Sequence, residues 1–421
     1  MQAFFSRGMP ACGPGAHYRD STAPFPPTGY ALWRKLRYTI PSFASDSGED
    51  PPESAKGKGL EWRVFMDLVQ TLTRLSEVSG PAGQEGRAAA LVEALLRPYM
   101  DEVSIDTLGN VVGIRRSGTS GAKRVLVEAH LDEVGFVVTG HKGAFLTFAP
   151  LGTVDARQLP GARLRVLGDP ERVGIVASMP PHLLGKAAME EAPAIEDMAL
   201  DLGLSEEEAQ AIALGTAVVY DTAPLLIGDG LFSGKALDNR ASIAAVLLAL
   251  DRLCGTGEYR LDCDLIVLFS VQEELGLRGV QTGVFALEPD LAICLDVTFG
   301  HQPDAKAEQT VRFGGGAAIG VGPVLCRALA RQLQGLAEAA DLPYQLEILP
   351  GQSSTTADKA SLSRAGVPTA LISLPVRYMH SAVELVSLAD IEAVAGLLAA
   401  VLRQGLGEHS SPLRDGGGSH A

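Results

Sequence analysis

The chain has 421 residues, 46% of them hydrophobic, which is enough for two cores and too apolar for an intrinsically disordered protein. Its 50 acidic against 35 basic residues leave a net charge of -15, which argues against nucleic acid or an anionic membrane as the main partner and leaves metal cations and small substrates open. Cys12, Cys254, Cys263, Cys294 and Cys326 are scattered without CxxC spacing, the usage of a reduced, cytoplasmic protein, and no apolar run approaches the ~18 residues of a membrane helix.

Residues 1–65 hold both tryptophans, Trp33 and Trp62, and the polar run SDSGEDPPESAKGKG. That composition predicts an extension with little stable structure. Its start lacks the basic-then-apolar order of a secretory signal, and an organelle transit peptide is the weaker alternative. Helical spacing begins at Met66, with Leu68, Leu72 and Leu75 on one face, and resumes at Leu91, Val92, Leu95 and Leu96. Residues 103–114 then alternate like a hairpin around Gly109-Asn110. Val125, Leu126 and Val127 read as a short buried strand ending in EAHLDE, which offers His130 and Asp132.

From 140 to 227 short alternating strands are separated by glycine and proline turns, with one helix opened by the capping box of Ser205 and Glu208. This predicts a small β-rich domain inserted into an α/β domain formed by 66–139 and 228–404. After the insert, GKALDNR brings Asp238 to the front of an apolar helix. The unbroken apolar run 265–269 suits a strand covered on both faces of an α/β sheet, and it leads into Glu273 and Glu274. Strands over 291–297, carrying Asp296, and 370–374 flank a helix over 324–340. His380 follows in RYMHS, a helix over 388–402 closes the domain, and 405–421 reads as a flexible tail.

Two adjacent glutamates at the carboxyl end of a buried strand repel each other and lose hydration, which a cation would compensate. The plain alternative is a solvated acidic turn. Likewise, a histidine after a strand is commonly a hydrogen-bonded structural residue, and Asp238 before Asn239 is placed to cap a helix. The conjunction carries the weight: two imidazoles and three carboxylates at strand ends suit two divalent ions about 3.5 to 4 Å apart, sharing one carboxylate and one water. A glycosidase needs no histidines and wants its carboxyls ~5 to 9 Å apart across a sugar. A non-catalytic scaffold would have lost ligands, whereas every ligand type is present.

The motif order AHLDEVGF, KALDNRAS, VQEELGLRG, CLDVT and RYMHSAVE resembles the M42 family of metallo-aminopeptidases over about residues 66–402. Related M20-type enzymes place their second domain after most of the ligands; here the insert lies between His130 and Asp238. The resemblance implies a zinc-peptidase-like mixed sheet flanked by helices, with an inserted PDZ-like or barrel domain used in dimerisation. MPPHL, from Met179 to Leu183, looks like the family's signature within that insert. It also implies removal of N-terminal residues from short peptides and self-association of dimers up to a dodecamer. Two divalent metal ions per subunit are implied, zinc or cobalt first, with manganese also admitted.

Carried over residue by residue, Asp238 bridges the metals, His130 and Asp296 complete one site, and Glu274 and His380 complete the other. Glu273 is then the general base for a metal-bridged hydroxide, and Asp132 orients His130 from behind. One departure stands out: the family's GTDA-like stretch is replaced by GQSSTTAD at 351–358, which leaves side-chain preference open. Gly314-Gly315-Gly316 reads either as a close approach for a substrate backbone or as a plain turn.

Overall fold

A computed structural model describes residues 66–179, 181–183, 194–255, 261–303 and 305–406. The predicted N-terminal extension, the chain beyond 406 and part of the MPPHL stretch lie outside the described residues. Two helices open the fold, α1 (Leu68–Glu77) and α2 (Gly86–Leu96). Asp67 caps α1 by accepting the Gln70 amide, and the 3.6-residue period buries Leu72 and Leu75 completely. The predicted hairpin is β1 (Glu102–Ile105) with β2 (Val111–Arg115), its turn held by Asp106, which accepts the amides of Leu108, Gly109 and Asn110. Strand β3 (Arg124–His130) is longer than the apolar triplet suggested, and His130 is its last residue.

Next comes a closed antiparallel barrel of β4 (Gly135–Lys142), β5 (Phe145–Leu151), β6 (Arg163–Val166), β7 (Arg172–Val176), β8 (Leu200–Asp201) and β9 (Ala217–Tyr220). It has its own core, where Phe148 and Tyr220 meet Phe136 edge to face at 5.4 and 5.5 Å. The capping box forms between Ser205 and Glu208 at the head of α3 (Glu206–Gln210).

Strands β10 (Leu225–Ile227) and β11 (Leu231–Gly234) return the chain to the main sheet. There follow α4 (Leu237–Gly255), β12 (Asp264–Ser270), α5 (Arg278–Leu287), β13 (Leu291–Phe299), β14 (Ala317–Val321), α6 (Arg327–Ala339) and β15 (Tyr344–Ile348). Then come α7 (Ala357–Ala360), β16 (Thr369–Arg377), β17 (Glu384–Ser387) and α8 (Leu388–Gln404). The resulting sheet has 11 strands in the order β1-β2-β12-β3-β13-β16-β17-β11-β10, with β14 joined to β16 and β15 to β14. Its centre, β12-β3-β13-β16, is parallel and the pairings on either side of it are antiparallel, except that β15 joins β14 in parallel.

Both faces of that centre are covered, which explains the unbroken apolar run of β12. Leu265, Val267 and Phe269 enter the core shared with α1, α2, α4, α6 and α8, whereas Ile266 and Leu268 enter the one shared with α5 and α7. Helix α4 is buried all round between sheet, α1 and α8, so its apolar character belongs to a core helix. No helix among the described residues is long and apolar enough to cross a membrane. Among the parallel strands, β3 is followed in the chain by β12 on one side of it and then by β13 on the other, so a crevice opens at the carboxyl ends of these strands.

Candidate metal centre

Strand register levels the ligand-bearing ends at that crevice. Ser270 pairs with His130 across β12 and β3, and Cys294 pairs with Glu128 across β13 and β3, so Asp296, two residues on, stands level with His130. The loop 271–279 carries Glu273 and Glu274 and is pinned at both ends by Asn110. That side chain accepts the Val271 amide at 2.9 Å and donates to the Gly279 carbonyl at 3.1 Å. Gly279 lies so close to Val271 that a Cβ would meet its carbonyl oxygen at 2.3 Å, so only glycine fits there. Asp238 enters from the start of α4, where the backbone is still non-helical, and His380 follows β16 with φ of 61°.

These side chains form two triads that share Asp238: His130, Asp238 and Asp296, and Asp238, Glu274 and His380. Within each, the donor atoms lie within 4.8 Å of one another. The two oxygens of Asp238 are divided between them. Oδ1 is 3.0 Å from His130 Nε2, and Oδ2 is 3.2 Å from His380 Nε2. Asp296 Oδ1 stands 3.7 Å from His130 Nε2, and Glu274 Oε1 3.0 Å from His380 Nε2. His380 Nδ1 meets the Thr153 carbonyl at 2.8 Å, which fixes the proton on Nδ1 and turns Nε2 toward the carboxylates. Thr153 follows β5, so the barrel side of the molecule contributes to this triad.

The electrostatics ask for positive charge. Burial opposes a charged His130, yet Glu273, Asp132, Asp238 and Asp296 pull its proton affinity well above the imidazole range. Burial likewise opposes charging His380, and hydrogen bonds to Asp238 and Glu274 override it, pushing it up to about 11. For Asp238 burial acts upward, but bonds to the two histidines win and hold its carboxyl below the carboxylate range. Asp296 is raised well above that range, first by burial and then by Asp238 and Glu273 against the pull of His130. A donor set of imidazole nitrogen and carboxylate oxygen, crowded and short of counter-charge, fits divalent cations.

The two glutamates differ. Glu274 is committed to His380, whereas the Glu273 carboxylate makes no hydrogen bond or ion pair among the described residues and faces the cleft. Burial, with Glu274, Asp238 and Asp132 outweighing the pull of His130, pushes Glu273 up to about 8. Asp132 is fully buried; its oxygens accept the amides of Glu273 and Glu274 at 2.9 and 3.0 Å. Its approach to His130 Nδ1, at 3.6 Å, is too long for a hydrogen bond and acts through charge.

Several supporting residues escaped the sequence reading. Glu384 accepts the amides of Asp238 at 3.0 Å and His380 at 2.7 Å, tying two ligand segments together; burial and Asp238 push it up to about 8. Glu133, Lys235 and Arg240 form a buried knot: Lys235 Nζ meets Glu133 at 2.7 Å, and Arg240 donates to the carbonyls of Leu131, Leu75 and Val78. Only the acidic and basic letters beside the ligand motifs hinted at these. At the departure in 351–358, Thr356 donates to Glu128, which also accepts from Ser270 at 2.7 Å, so the carboxylate meeting this loop comes from β3. Gly314–316 takes the turn role: Asp390 accepts the Gly314 and Gly316 amides, and a Cβ on Gly316 would meet the Pro343 carbonyl oxygen at 2.0 Å.

The family model for M42 glutamyl aminopeptidase matches residues 109–397. The chain belongs to the M42 aminopeptidase family. This M42 protein is therefore a metal-dependent aminopeptidase, a peptide hydrolase. It is 32% identical over 353 residues to a lysyl aminopeptidase of Pyrococcus furiosus, covering 82% of this chain and 97% of that protein. Among solved structures it resembles the TET aminopeptidase of Thaumarchaeota archaeon SCGC AB-539-E09, with a TM-score of 0.76 and 31% identity over 80% of this chain and 96% of that one. The TET1 peptidase of Pyrococcus horikoshii, described as assembling into a tetrahedron or a large octahedral shell, matches with a TM-score of 0.70 and 25% identity over 80% and 99%.

Proposed function

We propose that this M42 aminopeptidase works as a dinuclear enzyme with Glu273 as its general base. The observation that carries the reading is the split carboxylate of Asp238, one oxygen toward each triad, beside a glutamate that belongs to neither. His130 and Asp296 would hold one divalent cation, Glu274 and His380 the other, with Asp238 between them. When bound, such cations would acidify a water and polarise the scissile carbonyl. Glu273 takes the proton of the attacking water on its free carboxylate and returns it to the leaving amine. Asp132 keeps that carboxylate in place by holding the Glu273 and Glu274 amides. Glu384 does the same for Asp238 and His380.

Zinc or cobalt is the expected metal by the family resemblance, and a site of imidazole and carboxylate also admits manganese. The substrates are short peptides with a free N-terminus, in a cytoplasmic setting. Self-association through the barrel, up to a dodecamer, is part of this reading; what supports it is that solved TET1 relatives are described as a dodecamer and as assembling into closed shells. The first residue removed is not carried over, since the family model is named for glutamyl and one relative for lysyl cleavage. The test is a panel of aminoacyl-arylamides on metal-stripped protein with each metal restored singly. Activity that returns with two equivalents of one metal supports the reading. Full activity in stripped protein, or saturation at a single equivalent, would sink the dinuclear mechanism.

A further inference from the structure

The cleft beside the two triads encloses about 1580 Å³, and one carboxylate in its wall has no part in metal binding. Glu347 sits on β15, flanked in the lining by Leu346, Ile348 and Leu349. Its oxygens accept the Ser373 hydroxyl at 2.5 Å and the Thr298 hydroxyl. Both donors are neighbours of Asp296: Ser373 is its register partner across β13 and β16, and Thr298 lies two residues along on the same face. Adjacent strands run about 4.8 Å apart, so the carboxylate stands roughly one long side chain away from the His130 triad.

Glu347 is short of a counter-charge. Among the described residues no lysine or arginine pairs with it, and neutral hydroxyls make its only bonds. Lys306 and Lys359 line the same cleft, yet neither reaches it, and Lys306 is exposed at the rim. Burial raises its carboxyl, with the two hydroxyls pulling the other way. A half-buried anion held by neutral donors is best completed by a cation that arrives with the ligand.

We propose that Glu347 recognises the charged side chain of the first residue of the peptide, so that the enzyme prefers N-terminal lysine and arginine. This rests on the aminopeptidase reading above and adds a substrate class to it. The metal-loaded full chain is assayed on lysyl, arginyl, leucyl and glutamyl arylamides. The wild type should show kcat/KM for the lysyl and arginyl substrates about 10- to 100-fold above the leucyl one, the range of a charge-assisted bond. Glu347→Gln, neutral and of the same shape, should lower the lysyl-to-leucyl ratio at least about tenfold, mainly through KM. Glu347→Asp should restore part of it.

Other outcomes count against the assignment. A wild type that favours glutamyl substrates would point to Lys359 instead, and one that favours leucyl substrates would leave Glu347 without this role. A Glu347→Gln protein that loses all four activities equally would place the carboxylate on the substrate's α-ammonium or in the scaffold. If that variant does not fold, the wild-type panel decides alone. Absence of turnover on every arylamide would instead overturn the peptidase chemistry itself, so the two failures are distinguishable.

Discussion

The His130–Asp296 half of the site is made by two neighbouring parallel strands, β3 and β13, and its histidine side chain is 2% exposed. The His380–Glu274 half is made by two loops, its histidine is 24% exposed, and it leans on a carbonyl supplied from the barrel side. The first half is positioned by sheet hydrogen bonds that cannot shift without disturbing the core. The second depends on loop anchors, Asn110, Asp132 and Glu384, and opens to the cleft. In the proposed dinuclear centre the first site would be rigid and shielded and the second adaptable and accessible, with the shared Asp238 coupling them.

Glu273 belongs to neither half, so changing it should have the largest effect on rate and the least on metal. Glu273→Gln should lose about 100- to 10,000-fold in turnover while keeping both metal equivalents, measured by peptide hydrolysis beside metal analysis. If that variant loses metal while Glu274→Gln stays metallated but inactive, the two glutamates have exchanged roles.

The halves themselves separate under a chelator. Wild-type protein should release its metals in two steps, the exposed half first. Glu274→Gln should retain only the slow step and Asp296→Asn only the fast one, because each replaces an anionic ligand with a neutral amide in one half. A single release step in the wild type would mean that the burial difference has no consequence for exchange.

Smaller effects test the supports. Glu384→Gln keeps one acceptor but loses the charge that serves two amides, and a cost of about 10- to 100-fold in metal affinity is expected, readable by competition titration. Gly152→Ala acts on one half alone: at φ of 85° its Cβ would stand 3.0 Å from Glu274 Oε2. It should weaken the exposed site severalfold and cost about 1 kcal/mol of stability, with the slow chelation step unchanged. A change in the slow step instead would show that the barrel side presses on both halves.

The legible part of this protein is local. An apolar run ending in charged side chains is a pattern within ten residues, so strand ends carrying His130, Glu273, Glu274 and Asp296 stood out, as did the hairpin at Gly109-Asn110 and the capping box at Ser205. Motif order added the family, because five such patterns in one sequence constrain the topology. The division of labour among those side chains was decided by tertiary structure. Asn110 reaches the 271–279 loop across more than 150 residues, Glu384 reaches Asp238, Thr153 orients His380, and Glu347 finds two hydroxyls beside Asp296. Such contacts follow from strand order and register, which bring distant residues level at one crevice. A carboxylate in a one-dimensional string has no neighbours other than its own, and its charge, its burial and its role depend on neighbours in three dimensions.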